Sequence, residues 1–221
     1  MGATLSTALP GMPAVSAVPH SPSQNNAAGA VDTDQCLLRR YRDGDQAAFE
    51  ALYDRYRGPL RRFVGRFTHD PDEAAEILQE VWMAVIRARR TYRPSASVAT
   101  YLFAIAHRRL QDRWRKRSRH VVSGHTEPAV IPEELSDATA ATAEEWVHNV
   151  ELRCALSAAI DRLPPPQRVV FLLKAEADLS LEEIAAVTGS NFEATKSRLR
   201  YAVARLRAQL ASWNEERSRH E

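Results

Sequence analysis

The chain has 221 residues, 44% of them apolar, and a formal net charge of +2. That is enough apolar material for one or two packed cores, and no apolar run is long enough to cross a membrane. Cys36 and Cys154 are the only cysteines and lie far apart, which excludes a disulfide framework or a cysteine-rich zinc site and fits a reduced, cytoplasmic protein.

Residues 1–33 are rich in Ala, Pro, Ser and Asn and lack the basic start and apolar stretch of a signal peptide, so they read as a disordered tail. From Asp34 to Arg57 two helices are expected, broken near Asp43-Gly44, with Asp45 capping the second and Phe49, Leu52, Tyr53 and Tyr56 as its apolar stripe. A further helix runs from Leu60 to Phe67, with Phe63, Val64 and Phe67 inward. Pro71 then starts a strong helix over 72–90. In it Ile77, Leu78, Val81, Trp82, Val85 and Ile86 recur at helical spacing, acids lie early and arginines late, as the helix dipole favours. Its other face carries Glu76, Gln79, Glu80, Met83 and Arg87.

Pro94 breaks the chain before another helix at 98–118. The first half of that helix is apolar (Tyr101, Leu102, Phe103, Ile105) and the second half basic. Seven basic residues fall between Arg108 and Arg119 against one acid, Asp112. Trp114 sits among the arginines. Rings beside cations suit melted nucleic acid, because bases stack while cations follow phosphates. Val121 to Glu151 then holds seven acids and no Lys or Arg. Such asymmetry points to a nucleic-acid surface beside an acidic connector.

Residues 146–213 are helical again. Ser180 and Glu183 make a capping box, Gly189 ends that short helix, and Ser190 with Glu193 repeats the box for the next. Two helices across so tight a turn outline a helix-turn-helix, whose second helix enters the major groove. Leu199, Val203, Leu206 and Leu210 form its buried stripe. Lys196, Ser197, Arg200 and Tyr201 lie off the stripe, where guanine edges and phosphates can be reached. The expected fold is all-α: two small helical domains, 34–118 and 146–213, joined by a flexible acidic linker at 119–145, the second domain a helix-turn-helix.

Both halves together resemble the extracytoplasmic-function (ECF) sigma factors of bacterial RNA polymerase. Ala74–Trp82 is similar to the family's AEDLVQEVF helix, and Thr100–Arg117 to its TWLYRIARNRALDHLRRR helix. Leu163-Pro164, Arg168, Leu179-Ser180, Glu183-Ile184-Ala185, Lys196–Leu199 and Leu206-Arg207 match the second domain. The family's Asp in the first motif is Glu76, its Asn is Arg108, and its Arg before Ala is Tyr201. The resemblance implies a non-enzymatic subunit that binds core RNA polymerase at clamp and flap, recognises duplex promoter DNA and helps melt it. It implies polymerase contact through Glu76, Gln79, Glu80, Met83 and Arg87. It implies −10 contact and strand opening through Tyr92, Arg93, Ser95, Tyr101, Arg108, Arg109, Arg113, Arg115 and Lys116, with a flipped base held at Tyr92–Ser97. It also implies −35 contact through Lys196, Ser197, Arg198, Arg200 and Tyr201. Members of this family are often held by an anti-sigma factor, a candidate partner here. No cofactor or metal is called for.

A linker of about 27 residues spans at most ~90 Å and as a coil averages ~30 Å, so the domains can reach elements more than one helical turn apart. The alternative is a helix-turn-helix regulator that is not a polymerase subunit. The first half, however, resembles neither a sensor nor a receiver domain. The seven histidines are scattered without metal-ligand spacing, and His107, on the basic helix, is expected at the DNA side or surface.

Overall fold

The computed structural model describes residues 33–68, 70–89, 96–119 and 143–218, and all regular structure among them is helical. The first unit comprises α1 (Asp34–Asp43), α2 (Gln46–Gly65), α3 (Pro71–Ala88) and α4 (Val98–Arg119). The second comprises α5 (Ala143–Asp161), α6 (Pro165–Ala177), α7 (Leu181–Thr188) and α8 (Phe192–Ser218). The N-terminal tail and most of the acidic connector lie outside the described residues.

Local chemistry sets the breaks. α1 ends at Gly44, whose φ of 118° suits glycine. Asp45 caps α2 by accepting from the Ala48 amide and is held by Arg40 at 2.7 Å. That arginine bond is the largest influence keeping the Asp45 carboxyl below its usual pKa. Tyr56 and Arg55 both reach Asp34, tying the start of α1 to α2. At the far end of α3, Arg89 donates to the Tyr41 carbonyl at 2.8 Å and lies over the Tyr41 ring, closing α3 onto α1.

One expected boundary is absent. α2 runs unbroken through Gly58 and Pro59, so Leu60–Gly65 belongs to it rather than to a separate helix. An interior proline costs about 3 kcal/mol. Leu52, Tyr56, Leu60, Phe63 and Val64 are all buried on one stripe of the continuous helix. At roughly 1.5–3 kcal/mol for each large side chain, that burial outweighs the proline.

In the second unit, Asp178 ends α6 at φ 47° and Gly189 ends α7 at φ 64°. The capping box of Ser180 and Glu183 is present. A second box at Ser190 is not. The Ala194 amide donates to Asn191 Oδ1 at 2.7 Å, so Asn191 caps α8. The Ser190 hydroxyl is engaged with Thr188 and Thr195 instead. The α8 stripe centres on Thr195, Ala202 and Leu206, with Leu199, Val203 and Leu210 half-buried along its edge.

The two units share one apolar core, from Leu37 in α1 to Leu206 in α8. α2 packs on α6, and α4 packs on both α6 and α7. The caps should matter measurably. Ser180→Ala should cost about 1 kcal/mol by loss of the cap, and Gly189→Ala about 1–2 kcal/mol by forcing a Cβ into the left-handed region. Urea titration should show lower midpoints at unchanged slope for both.

Candidate nucleic-acid and polymerase interface

α8 divides cleanly. Its buried positions 195, 202 and 206, with half-buried 199, lie on one side, so Lys196, Ser197, Arg200 and Tyr201 point away from that stripe. Lys196, Arg200 and Tyr201 are exposed, Tyr201 by 52%, while Ser197 and Arg198 are half-buried. The Arg200 guanidinium lies 5.1 Å from the Tyr201 ring centroid and its Nη2 is 3.4 Å from the Tyr201 hydroxyl. The helix thus presents a cation backed by a ring, with a second cation one turn earlier.

α3 offers Glu76, Gln79, Met83 and Arg87 to solvent, with Glu80 half-exposed. Two residues expected inside join that surface: Ile86 is 42% exposed and Tyr53 39%. Tyr53 lies against the Trp82 ring at 4.9 Å rather than beneath it. Ile77, Val81, Trp82 and Val85 already fill the inner face of α3, which turns Ile86 outward. Met83 and Ile86, one turn apart, give the charged surface an apolar centre.

On α4 the basic residues separate by helical phase. Tyr101, Arg108 and Arg115 recur every seven residues and so share one side. Arg108 and Arg115 are exposed, Tyr101 is half-buried, and that burial raises the Tyr101 pKa. Lys116 is exposed too. Arg109 and Arg113 turn toward α3. Arg109 pairs with Glu80 at 2.9 Å, and Arg113 with Glu76 at 2.7 Å and Glu80 at 3.6 Å. The bond to Glu76 is the main cause of a raised Arg113 pKa. Residues expected to serve DNA and residues expected to serve the polymerase therefore neutralise one another. Trp114 is not displayed for stacking: its ring packs edge-on against Phe67 at 5.5 Å, on the margin of the core. Tyr92, Arg93 and Ser95 lie outside the described residues. Among the described residues no group of His, Cys, Asp and Glu could hold a metal ion, and no helix is long and apolar enough to cross a membrane.

Comparison with known proteins fixes the family. The family model for Sigma-70 region 2 matches residues 52–120, and that for Sigma-70 region 4 matches 155–206. The chain is 33% identical over 180 residues to the ECF RNA polymerase sigma factor RpoE of Cereibacter sphaeroides, covering 79% of this chain and 93% of that relative. It is 31% identical over 170 residues to the RNA polymerase sigma factor CarQ of Myxococcus xanthus, covering 77% and 93%. The chain belongs to the ECF RNA polymerase sigma factors. It directs RNA polymerase to promoters, and its partners are core polymerase and promoter DNA. Two solved structures share its fold: CnrH in complex with the cytosolic domain of CnrY, and the sigma factor RpoE in complex with the anti-sigma factor NepR from Bartonella quintana. Both have a TM-score of 0.57, at 22% and 21% identity, covering 82% and 74% of this chain and 99% and 96% of theirs.

In this sigma factor the residues that sequence reasoning missed join the two regions. Ser97 Oγ and Thr100 Oγ1, at the start of α4, donate to Glu183 Oε1 on α7 at 2.8 and 2.6 Å. Glu183 had shown itself as a capping residue and as part of the family motif, not as a link between the regions. Arg62 on α2 pairs with Glu176 on α6 at 2.7 Å. Arg168 donates to the Arg66 carbonyl at 3.2 Å and covers the Phe67 ring. His107 is 5% exposed, neither at the surface nor on a DNA-facing side. α7 covers it, and the amphipathic pattern of α4 alone holds no sign of a neighbour 80 residues away.

Burial pushes the His107 imidazole below its ordinary pKa, opposed by a hydrogen bond with the Val187 backbone. In the unfolded chain His107 takes up its proton near pH 6.5, and the folded state resists it. Its contribution is thus complete above about pH 6.5 and lost as pH falls toward the lowered folded value. Urea midpoints should drop between about pH 7 and pH 5 in the native sigma factor, and His107→Gln should flatten that slope.

Proposed function

We propose that the sigma factor reads two promoter elements with its two units, residues 34–118 and 146–213, the acidic stretch 119–145 connecting them. α8 enters the major groove of the −35 element, with Arg200 and Lys196 directed to base edges and phosphates, Ser197 and Tyr201 beside them and Arg198 on phosphate. Arg200 is backed by Tyr201, so less side-chain freedom is lost when it meets a guanine. The observation that carries this reading is the exposure of Lys196, Arg200 and Tyr201 on α8, away from its buried stripe.

The first unit takes the −10 element. Tyr92, Arg93 and Ser95 hold a flipped non-template base, while Tyr101, Arg108, Arg115 and Lys116 follow the strand. Arg109 and Arg113 join them by exchanging Glu76 and Glu80 for phosphate. Those pairs are partly exposed and worth only about 0–1 kcal/mol each, so the exchange costs little. The α3 surface around Met83, with Glu76, Gln79, Glu80 and Arg87, docks on the polymerase clamp, and Tyr53 and Ile86 enlarge its apolar part. The protein acts in the cytoplasm as a subunit and not as an enzyme. The anti-sigma factor NepR, bound to one of the two structural neighbours, supports a similar antagonist here.

Arg200→Ala should weaken binding to a −35 duplex by about 5- to 150-fold, the range for one bidentate base contact, and leave core-polymerase affinity unchanged. Met83→Ala with Arg87→Ala should do the reverse. Fluorescence anisotropy against labelled duplex and against core polymerase separates the two, and equal loss of both in either variant would refute the assignment.

A further inference from the structure

The spacing of Ser190 and Glu193 marks Glu193 for a capping box, yet the fold leaves it without that task. Asn191 caps α8 instead, accepting from the Ala194 amide at 2.7 Å. Glu193 is exposed in the first turn of the helix. Among the described residues its carboxylate has no hydrogen bond or ion pair, even with Lys196 one turn on.

Helical phase places this acid on the face that carries the cations. Glu193, Ser197 and Arg200 recur at helical spacing, so they follow one stripe. Buried Thr195, Ala202 and Leu206 lie elsewhere on the helix. Glu193 and Arg200 are exposed, Ser197 is half-buried between them, and exposed Lys196 and Tyr201 flank the stripe. At ~1.5 Å per residue, Glu193 and Arg200 stand ~10 Å apart along the axis. At ~3.4 Å per base pair, that is about three base pairs.

A first-turn carboxylate suits the helix dipole whichever way it faces. On this face it must also enter a groove bordered by phosphates, which repel it. A hydrogen-bond donor on a base edge offsets that repulsion. The major groove offers two, the amino groups of cytosine and adenine. Adenine sets its N7 acceptor beside the amino group, and a carboxylate has no proton to give it. Cytosine presents its amino group alone.

We propose that Glu193 is a specificity-determining residue of α8, which selects cytosine in the −35 element by accepting from its N4 amino group, about three base pairs from the base met by Arg200. This rests on the placement of α8 in the −35 major groove given above. The acid also works against other sequences. Where the base offers no donor, the carboxylate is left facing acceptors and phosphates, a repulsive element of the kind that sharpens specificity. Glu193 thus lowers affinity for DNA at large and raises discrimination.

The test assembles holoenzyme from core polymerase and the full chain in four forms: native, Glu193→Gln, Glu193→Ala and Arg200→Ala. Each binds a pool of duplexes randomised over the upstream element, and the retained duplexes are sequenced. The native form should favour one cytosine about 5- to 150-fold over other bases. It should lie about three base pairs from the position that Arg200→Ala relaxes. Glu193→Ala should lose the cytosine preference and keep that second position. Glu193→Gln should exchange cytosine for adenine, because an amide both accepts from N6 and donates to N7. In both Glu193 variants, affinity for a duplex of unrelated sequence should rise, since a charge that repels phosphate has gone. An upstream element that depends on Arg200 but is identical in the native form and both Glu193 variants would overturn the proposal and leave the acid to the helix dipole alone. A native holoenzyme that retains no upstream element, or one that Arg200→Ala leaves unchanged, would instead refute the placement of α8 on which the proposal rests. Circular dichroism identifies a variant that has unfolded, and the other Glu193 variant then decides.

Discussion

Helix α4 buries Val98, Leu102, Phe103, Ile105, Ala106, His107 and Leu110, an arc of roughly 200° at helical spacing. No single neighbour covers so wide a face. α3 takes one flank, α2 the middle through the edge-to-face contact of Phe63 with Phe103 at 5.2 Å, and α7 the other flank. The remainder of the structure follows from this demand. The first unit alone leaves one side of α4 uncovered, and the second unit fills it.

The same constraint sorts the charges. Seven cations in twelve residues look equivalent in the sequence, yet each turn of α4 sends them in different directions. Arg109 and Arg113 meet Glu76 and Glu80, whereas Arg108, Arg115 and Lys116 are exposed, Arg115 beside Asp112. Side chains 26–54% exposed exchange one partner for another at little cost, whereas a hydrogen-bonded carboxylate at a part-buried junction costs about 1.5–3 kcal/mol to release. Polymerase and DNA contacts can therefore replace the first kind readily. The Glu183 junction needs a partner of comparable strength.

What was legible in the sequence was local. Asp45 as a cap, the capping box of Ser180 and Glu183, the breaks at Gly44 and Gly189, the inner face of α3 and the divided α8 all depend on residues within a few positions of one another. What was not legible depended on partners far away. Gly58-Pro59 reads as a break, because the burial that carries α2 across it comes from other helices. His107 and Trp114 read as surface groups of a basic helix, because α7 and Phe67 cover them from elsewhere in the chain. Ile86 reads as core, because periodicity does not say how many positions the neighbours can accommodate. Ser190 reads as a cap because its hydroxyl's competing partners, Thr188 and Thr195, are apparent only once the turn has closed.

The two halves act as one polymerase subunit. The most direct measurement is run-off transcription of genomic fragments with core polymerase, with and without this protein. Transcripts that core alone does not make are expected, starting downstream of a shared pair of sequence elements. No new transcript from any fragment, or binding to promoter duplex that blocks transcription without association with core, would contradict the subunit role.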